Sequence, residues 1–481
     1  MEEKNKNYIQ VGINFANLVK STLGPKGMNK MVVSDKDSKH LVVLTNDGAT
    51  ILKNVKTDNP ITELFKNLAV GQEEASGDGT TTASILAGQL LENALTLLEK
   101  GVHQTTIING YNIAMIEAIN YLNQVKEKAP TEKIIKTSFG SKIPKELSEK
   151  LTNLLKDLSK EELNLLRIFK RPNSNPLNTK IIDGFAFEGY TINDRMKSEA
   201  DGKIAVLDFR ANMDNTKIQV DKAEEWEKAN KVDREYRRKI VNKLKELNVK
   251  CVFISDTNPE FEAYLTEGGI TGIVVYKRET LDNICYSTGA IAISSPDDLK
   301  DEHIGKGKVK YIKPKQIYIE GKGKTLVLCG STLQTLDESE RALDDVINLL
   351  LKNDEYCVLG AGSIEVELSL HLTEFAKKVG GKEQIAIEKF AEALEIIPLA
   401  IAENAGLDAV EILTALKTLH SKGQRMGVDI VKKISSPRER GIFEPVIMKI
   451  NAVSSATNVA NLILKLDEVL IGDDKRDNSK L

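Results

Sequence analysis

The stretch Gly77-Asp78-Gly79-Thr80-Thr81-Thr82, running directly into ASILAGQLLENALTLL (83–98), decides how this chain is read. Its second part repeats apolar residues at helical spacing, so a helix begins at the threonines. What precedes the helix is a phosphate-site design. Two glycines flank an aspartate, and glycine lets a backbone approach an anion closely. The free N–H groups of a first helical turn point at such an anion, the threonine hydroxyls add donors, and the adjacent carboxylate can hold Mg2+. The plainer alternative is a Thr-capped helix after a glycine turn.

Upstream, apolar residues recur at helical spacing from Ile13 to Leu23 and stop at Gly24-Pro25-Lys26-Gly27, where proline cannot continue the helix. Lys30 to Ser34 and Leu41 to Thr45 read as a hairpin around the polar run SDKDSKH. Helical patterns then fill 47–123, with starts marked by Asp47, Pro60 and Thr80. Asp47 lies in TNDGAT (45–50), after a strand and at the opening of a helix, where it reads by itself as an ordinary N-cap.

Downstream, the character shifts near residue 128 to Lys-rich helices and then to RPNSNPLNTK (171–180), which reads as a loop or link. From 203 onward, short apolar runs alternate with helices. They are KIAVLDF, a charged helix from about 222 to 247 carrying the only tryptophan, Trp226, then CVFIS, a helix near 258–266, GIVVY and AIAIS. That alternation predicts an α/β domain. After 329 the pattern is helical again, with long segments from Ser363 to His420 broken at Pro398 and Gly406. Helical ends around an α/β middle predict one domain built from both termini, with the others inserted.

Two further places suit chemistry. Asp344-Asp345 sits inside the helical stretch ESERALDDVINLLL (338–351), where aspartate has poor propensity and no capping job, although a solvated face is the usual explanation. Leu359-Gly360-Ala361-Gly362-Ser363 is a glycine turn before a helix, suited to close approach by a flat ligand and equally to a plain helix start. Other patterns fail on spacing. Gly323-Lys324-Thr325 lacks the earlier glycine of a P-loop, since that position is Tyr318, and reads as a strand-edge turn. Gly268-Gly269-Ile270-Thr271-Gly272 precedes a strand and lacks dinucleotide-site spacing. No Gly-x-Ser-x-Gly elbow occurs.

Composition narrows the classes. With 481 residues the prior is about three domains. Lys and Arg at 67 against Asp and Glu at 70 give a net charge of −3, with no global electrostatic case for nucleic acid. The four cysteines form no Cys-x-x-Cys pair and the five histidines form no zinc pattern. The polar N-terminus and the lack of any run of about 18 apolar residues predict a cytoplasmic chain without a membrane role.

Taken in order, LVKSTLGPKGMNKMVV (18–33), TNDGATIL (45–52), GDGTTTASILAGQLL (77–91), ALEIIPLAIAENAGLDA (393–409) and GIFEPVIMKI (441–450) resemble the signature blocks of the group II chaperonins. Within that family the chain is similar to a subunit of the eukaryotic cytosolic chaperonin CCT/TRiC. LDF (207–209) and GIFEP match the alpha subunit, while SIEVELSLHL and EIIPLAIAENAGLDAVEIL match eta at least as well.

The resemblance implies a multidomain α and α/β fold in three parts. A mostly helical equatorial ATPase domain would span 1–127 and 359–481, an α/β intermediate hinge domain 128–187 and 328–358, and an α/β apical domain with a helical protrusion 188–327. It also implies ATP/ADP and Mg2+ as ligands, paralogous subunits in a hetero-oligomeric double ring, and unfolded clients such as actin and tubulin.

Residue by residue, the resemblance puts Gly24 on the nucleotide phosphates with Gly79, Thr80, Thr81 and Thr82 around them, and Mg2+ on Asp78. Asp47 would place the attacking water and Asp345, matching the aspartate of the family's His-Asp-Ala motif, would activate it. Ser141 and the nucleotide-sensing Lys142 lie in TSFGSK (137–142), Gly360 and Ala361 in the family's glycine turn, and Glu444 would meet the ribose. The chain departs from the family at Ala361, where the turn is otherwise all glycine, at Asp344 in place of the histidine, and in a short segment at 167–180.

Overall fold

The computed structural model describes residues 3–36, 39–140, 142–209, 223–313, 315–352 and 355–467. Ser141, Pro314 and the 210–222 part of the expected protrusion lie outside the described residues. The chain divides into two compact units, one made of Met1–Asp157 with Asp337–Leu481, the other of Leu158–Leu336.

The first unit is a helical assembly around the helix Thr80–Glu99, which buries Ile85, Leu86, Leu90, Leu91, Ala94 and Leu97. Burying each such leucine or isoleucine is worth about 1.5–3 kcal/mol, and its neighbours are the reason the helix sits centrally. Gly88 lets the helix Glu3–Lys20 lie against it, since a methyl at 88 would come 2.5 Å from the Ala16 Cβ. Gln104–Val125 packs nearby through Tyr111, whose hydroxyl donates to the Leu90 carbonyl at 2.8 Å and whose ring meets Phe390 edge-on. Glu383–Leu394 and Val446–Leu464 complete the same core through Phe390, Ala391, Ala456 and Ala460.

Lys30–Lys36 and Lys39–Thr45 form the expected antiparallel hairpin, with Lys30 opposite Thr45 and Met31 opposite Leu44. A small three-stranded sheet joins Phe443–Pro445, Tyr356–Leu359 and Glu127–Lys128, so segments far apart in sequence share one ladder. The break expected at Pro398 falls earlier. Helix Glu383–Leu394 ends and Ile396–Asn404 begins, with Pro398 buried in the new first turn. A proline cannot donate to the carbonyl four residues back, so the break lies at Glu395, upstream of the ring.

The second unit is α/β, as the alternating pattern predicts. Its sheet runs Arg167–Arg171, Gln316–Cys329, Gly305–Ile312, Glu199–Leu207, Val249–Ile254, Thr271–Val274, with Lys180–Glu188 on Gln316–Cys329 and Ala292–Ile293 on Glu199–Leu207. The strands Glu199–Leu207, Val249–Ile254 and Thr271–Val274 are parallel, and the segments Ile204–Leu207 and Cys251–Ile254 are apolar and buried throughout, as burial on both faces requires. The helices Ala223–Glu246 and Pro259–Glu267 connect them, and Arg278–Thr288 leads on to Ala292–Ile293.

RPNSNPLNTK is the link that the sequence predicts, joining Arg167–Arg171 to Lys180–Glu188, with Asn173 at φ 56° and Asn175 capping the short turn Pro176–Asn178. The reading of Gly323 as a strand-edge turn changes. Gly323 lies within a strand, at φ 86°, where the pairing with Lys180–Glu188 slips between Ile319 and Lys324. That slip is a β-sheet irregularity, which a periodicity of two cannot reveal.

Candidate functional site

Every contact of the site lies in the first unit. The helix Pro60–Ser76 ends on Gly77 at φ 78°, and the helix Thr80–Glu99 starts from Gly79 at φ 86°. Asp78 is thus held on a bend that needs left-handed backbone on both sides, which glycine adopts at no steric cost. Its carbonyl accepts from Gln72 Nε2 at 3.1 Å and Ser76 Oγ at 2.9 Å. Its carboxylate accepts from the Gly79 N–H at 2.8 Å and from Ser138 Oγ at 2.9 Å.

Thr80 is the first helical residue and Gly79 occupies the cap position, where no side chain closes the helix. The Thr-capped alternative therefore does not describe this turn. The first-turn N–H groups are left for solvent or an anion, and the helix dipole favours the anion.

Asp47 does cap its helix, Gly48–Asn54, accepting from the Thr50 N–H at 2.8 Å and the Ala49 N–H at 3.3 Å. Its own N–H donates to Thr45 Oγ1 at 3.1 Å, and Thr80 Oγ1 donates to its carboxylate at 3.4 Å. The two helix starts abut because position 48 has no side chain, a methyl there lying 2.5 Å from Thr81 Oγ1.

Asp345 projects from the helix Leu333–Lys352 and meets Lys142 Nζ at 2.8 Å, while the same ammonium lies 3.5 Å from Asp78. Three carboxylates, Asp47, Asp78 and Asp345, thus act on one ammonium. Burial pushes the Asp345 carboxyl up to about 7, with Lys142 opposing and Asp78 and Asp47 adding. Burial works against the charge on Lys142, but Asp345, Asp78 and Asp47 outweigh it and hold the ammonium above the usual lysine range. The helix bearing Asp345 is seated closely, since a methyl on Gly77 would come 2.7 Å from the Leu349 N. Lys352 also donates to the Glu73 carbonyl at 3.2 Å, at the end of the helix that leads to Asp78.

Asp47, Asp78 and Lys142 border a cavity of about 380 Å3. Asp47, Asp78, Gly79, Thr80, Thr81, Thr82, Ser138 and Lys142 form its polar end. Leu23, Pro25, Ile397, Ile401, Phe443 and Met448 supply apolar wall. Gly24, at φ 85°, lies under Ile401, and its loop is tied down by Asn404 Nδ2, which donates to the Lys20 and Leu23 carbonyls at 3.0 and 2.9 Å. That volume falls in the usual range for small-molecule sites, about 300–1,000 Å3.

Ala361 lines the cavity at φ 58°, a conformation that costs a residue with a Cβ about 1–2 kcal/mol. Its carbonyl accepts from the Val428 N–H at 2.9 Å, which holds it there. Gly360 stands behind the wall. Its missing side chain makes room for Glu444, whose Cγ and Cδ would each lie 3.1 Å from a methyl on Gly360. Glu444 lines the cavity and is paired with Lys449, which also holds Glu365 at 2.6 Å. Burial keeps the Glu444 carboxyl above the usual range, with Lys449 opposing and Glu365 and Asp78 adding.

The structure therefore gathers Gly24, Asp47, Asp78, Gly79, Thr80, Thr81, Thr82, Lys142, Ala361 and Glu444 on one cavity, with Asp345 behind Lys142 and Gly360 behind Glu444. Ser138, Gln72, Glu365 and Lys449 were not singled out by sequence. For Lys449 and Glu365 a signal existed, a charged residue at a core position of an apolar helical stretch. Among the described residues no group of three or more His, Cys, Asp and Glu could hold a metal ion. Mg2+ suits that donor set, because it commonly takes one or two carboxylates and completes its shell from phosphates and water. Nor, among the described residues, is any helix long and apolar enough to cross a membrane.

Comparison with known proteins gives matches along nearly the whole chain. A family model described as the TCP-1/cpn60 chaperonin family matches residues 15–474. Thermosome subunit beta of Archaeoglobus fulgidus is 34% identical over 490 residues, covering 95% of this chain and 89% of that protein. A thermosome subunit of Pyrococcus horikoshii is 33% identical with the same coverage. Thermosome subunit alpha of Thermoplasma acidophilum is 31% identical over 503 residues, covering 97% of this chain and 91% of that one.

Proposed function

The chain belongs to the TCP-1/cpn60 chaperonin family, on its group II side with the thermosomes, and from that premise we propose that it is an ATP-hydrolysing subunit of a double-ring chaperone for non-native proteins. The observation that carries the hydrolytic part is the uncapped start of Thr80–Glu99, set beside Asp78 and the Lys142–Asp345 pair. Phosphate oxygens would accept from the N–H groups and hydroxyls of Thr80, Thr81 and Thr82, with Gly24 and Ser141 alongside. Glu444 would receive the ribose, and Gly360 and Ala361 would shape the wall near it.

Asp78 would hold Mg2+, which when bound supplies charge neutralisation for phosphoryl transfer. Most catalysis of this reaction is positioning and electrostatics. Asp47 would orient a water in line with the terminal phosphorus. As the water oxygen bonds to phosphorus and the bond to the bridging oxygen breaks, its proton would pass to Asp345. That transfer requires Asp345 ionised beforehand, and Lys142 provides the counter-charge that makes this possible in a buried place.

The proposal includes the three-part division, with 1–127 and 359–481 equatorial, 128–187 and 328–358 intermediate, and 188–327 apical. Asp345 falls in the intermediate part, so hydrolysis would depend on that part being seated, and binding and hydrolysis would favour different arrangements. Paralogous subunits would complete a hetero-oligomeric ring in the cytoplasm. Within the family, the sequence blocks favour a CCT/TRiC subunit acting on clients such as actin and tubulin, whereas the thermosome names of the relatives favour an archaeal-type ring. Native purification of the tagged chain with ATP, followed by particle sizing and identification of co-purifying chains, decides between them. A megadalton double ring with related subunits is expected, and a small species without paralogues would overturn the ring assignment.

A further inference from the structure

In the wall of the cavity, three charged side chains meet. Lys449, on the helix Val446–Leu464, is 5% exposed and contacts Oε1 of the equally buried Glu365 at 2.6 Å. The same ammonium pairs with Glu444 Oε2, while Glu444 itself reaches the cavity. Glu365 Oε2 is buried without a hydrogen-bond partner among the described residues, so the triad is not fully satisfied. Dry ionic groups of this kind stabilise little compared with apolar residues of the same shape, since desolvation offsets their attraction. What such an arrangement does supply is a fixed carboxylate. Glu444 is pinned between the Gly360 backbone on one side and Lys449 on the other.

A carboxylate is purely an acceptor, and its natural partner in a nucleotide is the pair of sugar hydroxyls, which donate. We propose that Lys449, braced by Glu365, is a positioning residue that aims Glu444 at the sugar diol and thereby sets the preference for ribonucleotides over nucleotides lacking those hydroxyls. This rests on the nucleotide reading above and deepens it. A site built to pair with a substrate hydroxyl rejects the analogue without it, because the site's own polar group is then left unpaired.

The test uses assembled rings of the full chain and compares ATP with 2′,3′-dideoxyATP through KM for phosphate release. The unaltered chain should prefer ATP by about tenfold or more, the size of one charge-assisted hydrogen bond. Lys449→Met should bring the ratio towards one, Lys449→Arg should restore part of it, and Glu365→Gln should lower it less. A merely structural loss would weaken both nucleotides alike and leave the ratio unchanged. If Lys449→Met does not assemble, the Glu365→Gln ratio decides. Should Glu444→Gln abolish the preference while Lys449→Met and Glu365→Gln keep it, the positioning role is overturned. An unchanged ratio in Glu444→Gln would instead sink the sugar assignment itself.

Discussion

Two clusters of cation and carboxylates border the same cavity, and they are built differently. Beside the start of Thr80–Glu99, Lys142 is shared by Asp345 and Asp78, with side chains 21%, 17% and 24% exposed, and Asp47 adds a third negative charge nearby. At the other, Lys449 and Glu365 are each 5% exposed, and Glu444, 24% exposed, lines the cavity together with Lys449. Excess negative charge within reach of water suits a place where a cation, a phosphate and a proton arrive and leave. A cation and a carboxylate that are both nearly dry suit a place where a third group is to be held still. The proposed roles, chemistry for the first and geometry for the second, rest on that contrast.

The largest expected effect breaks the first cluster. Asp345→Ala should lower kcat for phosphate release by about a hundredfold to ten-thousandfold, the usual worth of a positioned acid or base. Unchanged turnover in assembled rings would remove the chemical role from this end. Gly79→Ala comes next, because φ is 86° and its methyl would lie 2.8 Å from Met448 Cγ. The substitution should cost about 1–2 kcal/mol from backbone handedness alone, read as a lower Tm together with weaker ATP binding. A loss of stability with ATP affinity intact would detach the turn from phosphate binding.

A pH profile sharpens the comparison further. The Asp345 carboxyl is pushed up to about 7, so the folded chain holds that proton more tightly than an unfolded one does. In the nucleotide-free chain this group's contribution to stability is therefore greatest below the ordinary carboxylate range and declines as pH rises towards 7. The base is active only when ionised, so kcat/KM should rise as pH passes about 7. A limb confined to the ordinary carboxylate range would show that Asp345 is not shifted in solution. The smallest effect is expected for Ala361→Gly, which relieves φ 58° at the cost of greater chain entropy. A net gain of about 0.5–1 kcal/mol should appear as a higher Tm, and a lower Tm would mean that the Val428 contact does not hold the turn.

Much of the site was legible because its parts are local. The Gly-Asp-Gly turn before three threonines, the Asp47 cap and the Gly24 loop each announce themselves within six residues, as does the hairpin between them. Pro398 and Gly323 show the limit of the same signals. Proline displaced its helix break to Glu395, and Gly323 turned out to mark a register slip inside a strand. In both cases the residue type marks an irregularity, but its exact place depends on which backbone groups are paired.

The amino-acid sequence by itself determined where helices begin and which turns must be glycine, since those follow from short-range sterics and the period of apolar residues. It marked Asp345 as an aspartate of poor helix propensity and gave it a role only through family resemblance, and for Lys449 and Glu365 it held no more than a charge at a core position of an apolar helix. Their meaning arises from partners 203 and 84 residues away, Lys142 for the first and each other for the second. Only packing that removes water gives such charges their effect, by making desolvation and a single near neighbour outweigh everything local.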